Sequence, residues 1–267
     1  MGDAVQEPGD EAVGWVLAAL QRHGRRYRIE RDQYLVLDSG LAQRLADLAY
    51  AARQALSISG PPEAAADRVL ADLFAREQRL LAGEVPPIGQ VRLRITHPDL
   101  LPRDGTLPGP AELIVYPVHD TADSATRLTS SQVSVLGDRL AAEGVPGGND
   151  LERIGVAALP ATLAEPVSVQ PERWGPHLAV LVSGDLYTAS RLLDVPGLLR
   201  GVGLAENADV FIGVPSSREL WLLPITPQAV AEQARELDGR VAEAYRASRG
   251  QIASRAYLWS AGRLRVR

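Results

Sequence analysis

The residues of this chain best suited to chemistry lie in its last third. Ser183-Gly184-Asp185 follows a short apolar run, Tyr187 to Leu193 reads as a short helix carrying Ser190 and Arg191, and Ser216-Ser217-Arg218 forms a polar loop after a strand. Hydroxyls, backbone amides and guanidinium groups gathered at neighbouring strand ends can hold a phosphate or a carboxylate. Asp185, Tyr187, Ser190, Arg191, Ser216 and Arg218 are therefore the candidate ligand-binding residues. In the plainer alternative, Arg191 pairs with Asp185 or Asp194 and Arg218 is solvated beside Glu219.

Other catalytic alphabets are thin. The histidines are His23, His97, His119 and His177, and only His97 with Asp99 and His119 with Asp120 set a carboxylate close by. No His-x-x-x-His spacing occurs, so no metal site is expected. The nucleophile elbow Gly-x-Ser-x-Gly is absent, and Gly201-Val-Gly203 lacks the third glycine of a dinucleotide fingerprint. The sequence contains no cysteine, and each of its 28 basic residues is arginine. Thiol chemistry, cysteine-bound metals, P-loop phosphate binding and Schiff-base catalysis are thereby excluded. No cofactor is expected.

The elements that must position these residues can be read from periodicity. Val13, Val16, Leu17 and Leu20 form one helical face ended by Gly24. Tyr27, Ile29, Tyr34 and Val36 alternate as a hairpin around Glu30 to Gln33, and helices are predicted from Ser39 and after Gly60-Pro61-Pro62, the latter ending near Gly83. Residues 1–85 thus read as a helix–hairpin–helix–helix lobe. The helical period stops at Pro86-Pro87-Ile88-Gly89, and residues 86–267 read as an α+β domain with a mixed or mainly antiparallel sheet and packed helices. Within it, Val91, Leu93 and Ile95 alternate with Arg92 and Arg94, giving a strand with an arginine-bearing solvent face. Leu113 to Val118 is apolar enough for a central strand, although Pro117 favours a place near an edge or end. Ser130 or Ser131 caps one helix and Asn149 another. Leu178 to Val182 is a buried strand, strands follow at Val210 to Val214 and Leu220 to Ile225, and Thr226-Pro227 starts a helix. Ala256 to Trp259, the turn Ser260-Ala261-Gly262 and Leu264 to Val266 close the chain as a hairpin, and Trp15, Trp221 and Trp259 are assigned to the core. The segments Leu113 to Leu128 and Leu178 to Leu192 echo one another weakly, each ending in Ala-x-Arg-Leu.

The order and spacing of Tyr187-Thr-Ala-Ser-Arg191-Leu-Leu, Gly213-Val-Pro215-Ser-Ser-Arg218-Glu219-Leu and Tyr257-Leu-Trp-Ser-Ala-Gly262-Arg-Leu resemble the bacterial YtpQ-like family. Arg94-Ile95 with His97-Pro98-Asp99, the strand before Asp120, Arg127-Leu128 and Ala158-Leu159-Pro160 look like its middle section, so the likeness spans roughly residues 90 to 267. The chain departs from the family at Thr188, where members tend to carry a carboxylate, and in the longer loop from Pro215 to Glu219. The resemblance implies a cytoplasmic bacterial α+β protein of similar length. It supplies no catalytic residues.

The 267 residues, 46% hydrophobic, allow one large domain or two small ones, and the net charge of −5 argues against a nucleic-acid partner. The start Met1-Gly2-Asp3-Ala4-Val5-Gln6-Glu7 is acidic and lacks signal-peptide features, and no apolar run reaches the length of a membrane span. A cytoplasmic monomer or homodimer is expected. The leading functional expectation is a non-enzymatic interaction or adaptor module that binds a protein through a sheet edge or an Arg-bearing face, with Arg92 and Arg94 joining Arg263, Arg265 and Arg267 if their strands pair. The alternative is a small anionic-ligand binder or phosphoester-processing enzyme using Asp185, Arg191 and Arg218.

Overall fold

Residues 8–30, 34–38, 41–81, 84–101, 103–121, 124–248 and 250–267 are described in a computed structural model of the chain. It is an α+β protein that divides after Glu84 into two compact units.

The first unit comprises α1 (Pro8–Arg22), β1 (Tyr27–Glu30), β2 (Tyr34–Leu37), β3 (Ala42–Arg44), α2 (Leu45–Ser59) and α3 (Pro62–Leu81). The apolar stripes of the three helices close on Leu35 and Leu37 of β2, with Val16, Leu20, Leu48, Leu70 and Leu73 at the centre. Here α2 begins at Leu45 because Ala42 and Gln43 pair with Val36 and Leu35 as a third strand, so hairpin pairing overrides local helix propensity. Ser39, Gly83 and residues 31–33 lie outside the described residues.

In the second unit the order is β4 (Val91–Thr96), β5 (Leu107–Pro108), β6 (Ile114–Thr121), β7 (Ser124–Arg127), α4 (Ser130–Ala142), α5 (Asp150–Ala164), β8 (Val167–Trp174) and β9 (His177–Gly184). Then come α6 (Val195–Gly201), β10 (Val210–Ser216), β11 (Glu219–Pro224), α7 (Val230–Ala247), β12 (Ala256–Ser260) and β13 (Arg263–Val266). Six strands form one antiparallel sheet in the order β13-β12-β10-β11-β9-β8, and β4, β5, β6 and β7 form a second around β6. One face of the large sheet shares a core with β4, β6, α4, α5 and α6, centred on Leu93, Ile154, Leu199, Ile212 and Leu222. The other packs on α7 through Phe211, Leu223, Leu237 and Val241. Because β10 is enclosed on both faces, it is buried throughout. Gly213 permits this: a Cβ there would sit 2.4 Å from Val241 Cγ2.

Several local expectations need correction. Pro117 lies inside the central strand β6, which is tolerated because, among the described residues, β5 pairs only with Ile114 and Val115 and β7 only from Val118 onward. Its missing N–H falls in the gap between them, where its carbonyl accepts from Leu128 N at 3.1 Å. Thr129, not Ser130 or Ser131, caps α4, in a reciprocal capping box with Gln132. Asn149 caps α5 as expected. The segment after Tyr187 is a 3-10 turn, Thr188–Asp194, and Asp194 caps α6 through Gly197 N at 3.0 Å. Thr226-Pro227 forms a turn, and α7 starts at Val230 because the Gln233 side chain reaches back to Thr226 N and Pro224 O. Leu178 is 60% exposed, so β9 is not continuously buried. β4 and β13 belong to different sheets, and the single basic surface that their pairing would make does not form. The Ala-x-Arg-Leu echo is not structural either, since Ala125–Arg127 is strand and Ala189–Leu192 is 3-10 turn.

Candidate functional site

The site is built where β9 ends. A Cβ on Gly184 would lie 2.8 Å from Thr188 Oγ1 and 2.9 Å from Pro166 O, so only glycine lets the chain pass this closely. Asp185 then turns the chain: its Oδ1 accepts from Tyr187 N at 2.8 Å and its carbonyl from Thr188 Oγ1 at 3.1 Å. Two backbone bonds fasten this segment to the β10–β11 turn, Gly184 N to Arg218 O and Ala189 N to Ser217 O, both 3.1 Å. Ser216 Oγ accepts from Arg218 N at 3.3 Å and so shapes that turn.

Tyr187 is buried, and its hydroxyl donates to Asp120 Oδ1 on β6 at 2.5 Å. Arg191 Nη2 donates to the carbonyl of Glu165, the residue that ends α5. Glu165 in turn takes Arg92 Nε at 2.7 Å. The seating of α5 on β4 makes that reach possible, because Thr162 Oγ1 accepts from Leu93 N at 2.9 Å. Arg94 lies in register with Tyr116 of β6, and its charge acts on Tyr187.

The result is a polar centre between the two sheets of the second unit. Burial pushes the Asp185 carboxyl above the ordinary carboxylate range; Glu165 and Asp120 add to the rise, while the Tyr187 amide and Arg218 oppose it. Burial, together with the bond to Asp120, raises the Tyr187 hydroxyl well above its usual value. Burial likewise lowers Arg191, which the nearby Asp185 partly offsets. Tyr187 is therefore neutral and acts as a donor, not as a base.

Of the six candidate residues, Asp185, Tyr187, Arg191 and Arg218 meet in this centre. Arg191 takes the Glu165 carbonyl instead of pairing with Asp194, and the Arg218 side chain is exposed at the rim. Ser216 serves the turn. Ser190 is 1% exposed, and among the described residues its Oγ has no hydrogen-bond partner. Sequence reasoning missed Arg94, Asp120 and Glu165 as members. Arg92 and Arg94 are half-buried, not on a solvent face as the alternation suggested. Arg94 Nε is buried and, among the described residues, lacks a hydrogen-bond partner.

The histidine pairs lead elsewhere. His97 contacts Asp99 and Glu112, each at 3.3 Å, and His119 Nε2 lies 3.0 Å from Gln90 Oε1. Among the described residues no three His, Asp or Glu side chains are placed to hold a metal ion, and no helix is long and apolar enough to cross a membrane. The chain matches no protein-family model, and it has no significant match among curated proteins or solved structures.

Proposed function

We propose that the second unit is a binding module for a small anion, a phosphate or carboxylate group, received at the polar centre by Arg94, Arg191 and Arg218. The observation that carries this reading is Arg94: a guanidinium is always charged, and its Nε is buried without a partner among the described residues. A buried donor of that kind is costly unless an anion or water completes it. With the Arg92–Glu165 pair set aside, Arg191 and Arg218 act on Asp185 and Arg94 acts on Tyr187, which holds Asp120, so three guanidinium groups stand against two carboxylates. One anionic group balances that charge. Tyr187 donates to Asp120, and Ser190 offers a further buried hydroxyl.

The test is thermal unfolding with inorganic phosphate or succinate against chloride at equal ionic strength. At about 100 times Kd a ligand of the folded state stabilises by about 2.7 kcal/mol. For a unit of this size that raises Tm by roughly 5–10 °C. Arg94→Gln and Arg218→Ala should abolish the response, whereas an equal shift in both variants rules the site out.

An interaction or adaptor role is the second reading, and the resemblance of residues 90–267 to the YtpQ-like family belongs to the same proposal. The sheet edges favour it little. β8 carries Pro171, which removes a ladder donor, and β13 is four residues long with Arg263 and Arg265 exposed. Both are devices that discourage strand addition. A sheet face between the edges favours the reading more.

A further inference from the structure

α7 covers only part of its face of the six-stranded sheet, packing on β10 and β12 and reaching Leu223 of β11, Ala179 of β9 and Trp174 of β8 at one end. On β8, β9 and β11 the same face continues. Register sets Gln170, Leu181 and Trp221 in one row, with Ser168, Ser183 and Glu219 on one side and the Glu172–Ala179 pair on the other. Gln170 is exposed, and Leu181, Trp221, Glu172 and Glu219 are half-buried.

Trp221 meets Trp174 edge-on at 5.4 Å, and the Trp174 indole N–H donates to Glu172 Oε2 at 3.0 Å. The protein already shows what this arrangement attracts. The Arg240 guanidinium lies 4.7 Å from the Trp174 ring centre, held by Glu236 at 3.1 Å. The row of Trp221 lies between those of Glu219 and Glu172, but, among the described residues, no cation lies over its ring. Burial and the nearby charge of Glu172 both raise Glu219, so these two carboxylates repel without a cation between them. A guanidinium placed there would relieve the repulsion and stack on the indole.

We propose that this acidic, tryptophan-bearing face docks a basic segment of a partner protein, with an arginine side chain on Trp221 between Glu172 and Glu219. The proposal rests on the interaction-module reading and is independent of the anion centre. Charge complementarity selects the occupant: a basic segment gains from both carboxylates, whereas an acidic one is repelled.

Calorimetric titration of the full chain with a blocked peptide carrying two arginines, and with its glutamate counterpart, tests it. The arginine peptide should bind, more weakly at high salt, and Glu219→Gln or Trp221→Ala should each weaken it by about fivefold or more. Arg94→Gln should leave peptide affinity unchanged. Glu219→Gln keeps the result interpretable if Trp221→Ala loosens the sheet. Absence of binding, or binding unaffected by Glu219→Gln, overturns the proposal. Equal binding of the glutamate peptide overturns the choice of occupant and leaves the interaction-module reading standing.

Discussion

Tyr187→Phe isolates one bond at the heart of the polar centre. The ring packs as before, and only the hydroxyl that donates to Asp120 Oδ1 at 2.5 Å is removed. A hydrogen bond to a charged group contributes about 1.5–3 kcal/mol. Asp120 is half-buried, so its carboxylate recovers some water, and the loss falls in the lower half of that range, about 1.5–2 kcal/mol. For a unit of this size the Tm drop is roughly 3–8 °C. The two units need separate reporters. Trp174, Trp221 and Trp259 all lie in the second unit and Trp15 in the first, so urea unfolding followed by tryptophan fluorescence in a Trp15→Phe background reads the relevant transition. Because the folded Tyr187 hydroxyl holds its proton above the unfolded value of 10.0, its contribution is complete below that pH and declines as pH rises past it. The difference between the two proteins should therefore shrink in alkali. A loss below about 0.5 kcal/mol, within the ordinary surface range, would refute the bond's role in holding the centre.

Other consequences follow from the same structure. Asp185→Asn keeps an acceptor for Tyr187 N but removes a carboxyl raised above 3.8, so the wild type should gain stability relative to the variant as pH falls from neutral toward that value, as pH-dependent urea midpoints will show. Gly213→Ala forces a Cβ into Val241 and should cost about 1–3 kcal/mol by overpacking, measured by calorimetry. Ala261 adopts φ +50 in the turn before β13, with Gly262 at +71, so Ala261→Asn should raise stability by up to about 1 kcal/mol in the same scan.

How much of this was legible in the sequence depends on how local the cause was. The terminal hairpin, the Asn149 cap and the start of α3 at Pro62 are set by short-range chemistry and could be read directly. The break at Leu45 could not, because β3 exists only through its pairing with β2. The polar centre divides in the same way. Asp185, Tyr187 and Arg191 share one turn and were visible as a cluster. Asp120 lies 67 residues from Tyr187, and Glu165 lies 73 from Arg92. No local pattern predicts those meetings. The alternation of Arg92 and Arg94 with Val91, Leu93 and Ile95 was seen, yet alternation alone does not distinguish a solvated face from a second, polar interior.

The most direct measurement is calorimetric titration of inorganic phosphate into the wild type and Arg94→Gln, each with its ligand-free stability recorded. Because Arg94 is half-buried and only its Nε is buried without a partner among the described residues, Arg94→Gln should leave the free protein close to wild-type stability, while saturable binding at one site per chain, present in the wild type, disappears. A destabilised Arg94→Gln that binds phosphate as the wild type does would make Arg94 a structural residue and contradict the anion site.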